Sequence, residues 1–246
     1  MPQIENSSGS VLGRGIRSKL AGDALTLSTA HLVGLLTPFI TVPYLARVLR
    51  PEGFGLLIFA QSFALWLVLV VEFGFDLSGT RVVSRIRQDS HSLAKTVLGI
   101  QSAKIIVFFL VIPLVITVFF TVPLFAKNPV YLIWGFLYAG SRGLTPNWYF
   151  LGQERMAVPA FLEASGKVLA TIGVFLLVHS PEDGWRVLAL QALGMGSATF
   201  CMTLWMHSEV SWARPSLMAG FRTLKESSGI FIFRGASGLY MQANAF

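Results

Sequence analysis

This chain is poor in the residues that build folded soluble domains and metal sites. A single cysteine, Cys201, stands among 246 residues, which excludes an internal disulfide framework and any thiolate cluster. It lies inside an apolar run and reads as a small core residue. Charge is scarce as well: Asp, Glu, Lys and Arg make up 13% of the chain against 54% hydrophobic residues, where soluble domains carry about 25% charge. The four histidines, His31, His91, His179 and His207, are far apart and share no metal-ligand spacing. HExxH, P-loop and GxSxG patterns are absent. The chain therefore reads as a non-enzyme without a metal or cofactor.

What is abundant is apolar sequence in runs near 20 residues, the length a membrane-spanning helix needs, and not the ten-residue alternation of a barrel. The expected fold is an all-α integral membrane protein: a six-helix transmembrane bundle plus the start of a seventh helix. Spans are expected at about 24–46, 54–77, 96–122, 130–151, 158–179 and 185–207. Residues 1–20 form a polar tail with no apolar signal-peptide core, 21–208 the bundle, 209–226 a cytoplasmic linker and 227–246 the seventh hydrophobic run. That last run has no polar tail after it, so a truncated chain is expected.

The net charge of +7 invites a nucleic-acid reading, but the basic residues are scattered between apolar runs. Positive-inside topology accounts for them better. With a cytoplasmic N-terminus, eleven Lys and Arg fall on the inner side and four (Arg47, Arg50, Lys127 and Arg186) on the outer side.

The remaining four basic residues, Lys104, Arg142, Lys167 and Arg234, sit inside hydrophobic runs. A charge at that depth costs at least about 2.5–3.5 kcal/mol and usually marks a solute pathway. All four lie roughly 10–14 Å from the cytoplasmic end at about 1.5 Å per residue. They are read as a cationic belt around a cavity for an anionic cargo. Arg142 is the foremost candidate, because Gly140 and Gly143 open the helix beside it and a guanidinium binds phosphate in bidentate fashion. Glu72 and Asp76 are four apart and are expected on one helical face. Glu163 and Lys167 share that spacing and are expected to pair. A buried carboxylate can carry a coupling proton, which makes Glu72, Asp76 and Glu163 candidates, Glu72 lying deeper than Asp76. Pro38, Pro43 and Pro113 lie within spans and are expected to bend them. The small residues Gly194, Gly196, Ser197 and Ala198 suit close helix packing.

Two stretches carry a family likeness. LLTPFITVPYLARVLRPEGFGLLIFAQSF (Leu35 to Phe63), followed by EFGFDLSGTRVVSRIR (Glu72 to Arg87), resembles the start of Wzx-type O-antigen flippases. These are members of the multidrug/oligosaccharidyl-lipid/polysaccharide (MOP) exporter superfamily, which is related to the MATE transporters. NWYFLGQERM (Asn147 to Met156) is similar to that family's W-[FY]-x-Q-G-x-E segment, matching at Trp148, Tyr149, Gly152 and Glu154 and departing at Leu151, where the family has Gln. The likeness covers residues 20–246 and the N-terminal half of the family's architecture. It implies one of two six-helix bundles that rock around a cavity in the bacterial inner membrane. The implied cargo is a short oligosaccharide on undecaprenyl pyrophosphate, with membrane lipids, a polysaccharide polymerase and chain-length proteins as partners. A half of this kind is expected to be inactive alone. Other polysaccharide, teichuronic-acid or drug exporters of the superfamily remain open, as does a non-transporting scaffold. A polymerase is disfavoured because the outer loops hold about seven residues or fewer.

Overall fold

The computed structural model describes residues 7–210, 218–225 and 227–229, with side chains from Gly22 onward. Among these residues every regular element is helical. The first helix, α1 (Ser7–Glu72), is folded back at Arg50, whose backbone (φ 59°, ψ 169°) leaves the helical region. The next residue is Pro51, which disfavours the α conformation before it, so α1 consists of two arms, 7–49 and 51–72. A non-glycine residue at these angles costs roughly 1–3 kcal/mol. Packing offsets the strain: Leu49 beside it is fully buried, and a side chain at Gly53 would meet the Pro181 carbonyl.

Phe73 and Gly74 both take positive φ (47° and 75°), which ends α1 and redirects the chain into α2 (Phe75–Ile86). This corrects the expected span 54–77. Glu72 closes one helix and Asp76 opens the next, so the two carboxylates do not share a helical face. Next come α3 (Ser90–Leu110) and α4 (Ile112–Thr121), with Pro113 in the first turn of α4, where its missing N–H leaves no helical bond unmade. Pro38 and Pro43, by contrast, lie in α1 where the backbone stays helical; the sharp turn falls at Arg50 instead. Asp89 caps α3, accepting from the His91 and Ser92 amides and the Ser92 hydroxyl. Those Ser92 bonds hold its carboxyl below the usual carboxylate range.

A short helix α5 (Pro123–Lys127) leads to α6 (Pro129–Gly143). The single span expected over 130–151 is interrupted at residues 144–146, where Pro146 cannot donate a backbone bond, and resumes as α7 (Asn147–Gly152). Then α8 (Ala157–Leu177), a 3₁₀ turn at Pro181–Asp183 and α9 (Gly184–Glu209) follow.

Among the described residues, four helical stretches are long and apolar enough to cross a membrane: Gly22–Ile86, Ser90–Thr121, Ala157–Leu177 and Pro181–Glu209. Large apolar side chains such as Phe39, Phe120, Leu169 and Leu176 point outward, as a lipid-facing surface requires and a water-facing one does not. The chain is a multi-pass membrane protein, all-helical among the described residues.

The interior is a file of three clusters. One gathers Leu45, Leu49, Leu57, Phe125 and Leu188 near the Arg50 turn. A middle one holds Val71, Val107 and Ala139. A third, at the opposite end, packs Phe75, Val83, Trp148, Phe150 and Met206. Helices α8 and α9 cross at Gly166 and Gly194, where an added side chain on either would collide with the other's carbonyl. In a bilayer, such close approach supplies the van der Waals contact that holds helices together. Tyr44 donates to the Val178 carbonyl at 2.7 Å, and the Gln61 amide donates to Gln191 at 3.0 Å, tying both arms of α1 to the α8–α9 pair.

Candidate functional site

The first arm of α1 meets α6, α8 and α9 around a cavity of about 270 Å³. Its polar lining is Thr37, Thr41, Tyr138, Lys167, Thr171 and Gln191. Thr37 and Thr41 are four residues apart, as are Lys167 and Thr171, so each pair faces the cavity from one side of its helix. The threonine hydroxyl protons are already used: Thr37 donates to Val33 O, Thr41 to Thr37 O and Thr171 to Lys167 O, at 2.7, 2.8 and 2.7 Å. These hydroxyls therefore offer the cavity acceptor lone pairs.

Lys167 brings the formal charge. A side chain at Gly34 would come within 4.0 Å of its Nζ, which places the ammonium against the first arm of α1. No ion pair holds it among the described residues. The pairing expected with Glu163 is not formed. Glu163 instead binds Arg142 across the bundle, Nη1 to Oε2 at 2.6 Å, while its other oxygen accepts from Asn147 Nδ2 at 2.7 Å. This clamp adjoins the cavity: the Arg142 Nη1 lies 4.0 Å from the sulfur of Met195, a lining residue. The side chains of Arg142 and Glu163 are 30% and 14% exposed, so the pair is mostly shielded and still reachable.

Lys104 is placed differently. It is fully buried and donates to the Thr145 carbonyl at 2.8 Å, in the stretch where Pro146 interrupts the α6 helix. Beside it the Thr145 and Thr199 hydroxyls lie 2.8 Å apart above the Ser141 carbonyl. The structure thus separates the expected belt. Lys167 lines the cavity, Arg142 adjoins it under Glu163, Lys104 is enclosed by protein, and Arg234 lies outside the described residues. Of the three prolines, Pro38 lines the cavity while Pro43 and Pro113 do not.

Sequence reasoning passed over Tyr138, Gln191, Thr37 and Thr41. The available signal was polar residues recurring at four-residue spacing inside apolar runs, as in Thr37 and Thr41. The NWYFLGQERM stretch proves to be a packing hub. Trp148 and Phe150 are fully buried, a side chain at Gly152 would strike Val83 of α2, Glu154 binds Arg87 at 2.7 Å, and Tyr149 donates to Glu209 at 2.8 Å.

Fold and site together define a multi-pass membrane protein with an ammonium, unpaired among the described residues, in a cavity of mixed polar and apolar lining. Residues 20–243 match the family described as "Polysaccharide biosynthesis protein", and the chain belongs to that family. It is 25% identical over 243 residues to a protein of Escherichia coli (strain K12), covering 87% of this chain and 54% of that protein. It is 29% identical over 175 residues to one of Shigella dysenteriae, covering 70% and 43%. Both relatives bear the name "Putative O-antigen transporter". The chain spans about half the length of the curated relatives it matches. No solved structure matches it at comparable significance.

Proposed function

We propose that this chain forms a six-span bundle of a flippase that turns an undecaprenyl-pyrophosphate-linked oligosaccharide from the inner to the outer leaflet of a bacterial inner membrane. The N-terminus would be cytoplasmic. The observation that carries this reading is Lys167: an ammonium without an ion-pair partner among the described residues, in a cavity whose other polar lining groups are hydroxyls and an amide. That environment offers a diphosphate a cation and offers sugar hydroxyls the acceptor lone pairs of Thr37, Thr41 and Thr171. The isoprenoid tail would remain in lipid.

The Arg142–Glu163–Asn147 clamp adds a coupling route. With Glu163 ionised, its charge occupies the guanidinium. A proton taken up by Glu163 would release Arg142 to the diphosphate beside Lys167, so proton and anion would enter the site together. Each charge-assisted hydrogen bond gained is worth about 1.5–3 kcal/mol, enough for two cations to offset part of the head group's desolvation. Cationic drugs would be repelled by Lys167, which favours a glycan carrier over a drug exporter.

The test is Lys167→Glu and Lys167→Gln in the protein expressed from its own gene, scored by surface-glycan assembly in cells lacking their own O-antigen transporter. Glycan display should fall at least tenfold for Lys167→Glu at equal membrane abundance. Undiminished display would refute the reading.

A further inference from the structure

A second basic cavity lies outside the bundle interior, where α2, the start of α3 and the helical segment 218–225 converge. It measures about 510 Å³, within the range of small-molecule sites. Arg81 and Arg85 of α2, Lys95 of α3 and Arg222 line it, with the hydroxyls of Thr96 and Thr223 between them; among its described lining residues none is acidic. We infer that this cavity is a docking site for a phosphate or diphosphate group at the membrane surface, distinct from the Lys167 cavity.

Three observations support it. First, Arg81 and Arg85 stand four apart on one face of α2, and like charges at that spacing destabilise a helix unless an anion lies between them. The next arginine, Arg87, is neutralised by Glu154, but among the described residues neither Arg81, Arg85 nor Lys95 has an ion-pair partner. Second, the walls are held in place. A side chain at Gly99 would strike the Thr223 hydroxyl, one at Gly220 would strike Ile106 and the Ala103 amide nitrogen, and one at Gly79 would press on Trp148. The segment 218–225 therefore sits directly on α3, and α2 sits directly on the α7 hub, so the cations are held on opposed surfaces. Third, the cations are exposed, so an anion reaches them without crossing the bundle. Convergent cations and hydroxyls on two walls favour a multivalent anion over a single carboxylate, since each phosphate oxygen accepts separately.

In the orientation proposed above, the site faces the inner leaflet, where a lipid-linked diphosphate would arrive before entering the bundle. Only that natural ligand depends on the flippase reading; anion binding itself does not. The phosphate could come from the cargo's head group or from an anionic phospholipid, and the experiment separates the two.

The full chain is reconstituted in phosphatidylcholine nanodiscs and titrated calorimetrically with inorganic pyrophosphate. The variant Arg81→Gln/Arg85→Gln/Lys95→Gln should bind at least tenfold more weakly, and Arg81→Lys/Arg85→Lys should stay within about threefold. All of these titrations are made in a Lys167→Gln background, which removes the inner cavity's ammonium and impairs the proposed transport, so the two ideas fail separately. Helical circular dichroism of the triple variant must match the parent; where it does not, Thr96→Val/Thr223→Val is read in its place, with a loss of at least threefold expected. Titrations are repeated with phosphatidylglycerol in the discs. Weaker pyrophosphate binding there by the parent, and not by the triple variant, assigns the site to phospholipid head groups; an unchanged affinity assigns it to the cargo. No pyrophosphate binding by the parent up to 10 mM (about 2.7 kcal/mol), or equal binding by parent and folded triple variant, overturns the inference.

Discussion

The Arg142–Glu163 clamp gives a quantitative test of the site. Glu163→Gln keeps the shape and the hydrogen bond from Asn147 but removes the negative charge, leaving the Arg142 guanidinium uncompensated at bilayer depth. Breaking a fully buried ion pair from one side costs about 3–5 kcal/mol. Here the arginine side chain is 30% exposed and the glutamate 14%. Partial solvation lowers the cost to about 2–3 kcal/mol. Arg142→Gln strands the opposite charge and should cost a similar amount. The double variant removes both charges and should lose much less than the sum, an interaction of about 1–3 kcal/mol. Thermal unfolding in detergent, followed by tryptophan fluorescence, should show midpoint losses of roughly 4–12 °C for each single variant. It should also show partial recovery in the double variant. If the three variants add within about 0.5 kcal/mol, the two groups act independently. The clamp, and the proton route drawn through it, would then be wrong.

Lys104→Met should destabilise the protein by about 1–3 kcal/mol, because the Thr145 carbonyl loses its donor, whereas Lys167→Met should leave the unfolding midpoint within about 2 °C and lower only glycan export; the reverse ranking would exchange the roles of the two lysines. Gly166→Val should reduce the yield of monodisperse protein on size-exclusion chromatography, since its methyls collide with the Gly194 carbonyl and force a core adjustment of about 1–3 kcal/mol. The Asp89 cap titrates with a carboxyl held below its ordinary value, so its stabilisation is complete above the usual carboxylate range and is lost as pH falls through the lowered value. Hydrogen-exchange protection of the His91 and Ser92 amides should stay flat from pH 7 to about 4.5 and drop below that; a decline already complete at pH 5 would contradict the assignment.

Apolar run length alone made the all-helical membrane fold legible, and cations placed inside apolar runs pointed to Arg142 and Lys167. Partner choice was not legible. Spacing along one helix shows only neighbours three and four residues away and so pairs Glu163 with Lys167, while its partner Arg142 lies 21 residues back on another helix. Glu72 and Asp76 looked like one face because nothing in their spacing shows that Phe73 and Gly74 take positive φ. Depth placed Lys104 level with Lys167 but carried no azimuth, and azimuth decides whether a cation faces a cavity or a carbonyl. Pro51 and Pro146, at helix breaks, mattered more to the chain path than Pro38 and Pro43.

The bond from Lys104 to the Thr145 carbonyl spans 41 residues of chain. During synthesis α3 therefore enters the bilayer bearing a charge whose acceptor has not yet been made, at a cost of about 2.5–3.5 kcal/mol. Its residence there is predicted to stay provisional until the turn after α6 emerges from the ribosome, which would give biogenesis of this bundle an internal checkpoint. A nascent chain arrested before Thr145 would hold α3 loosely at the translocon, within reach of quality-control proteases, and one arrested some tens of residues later would not.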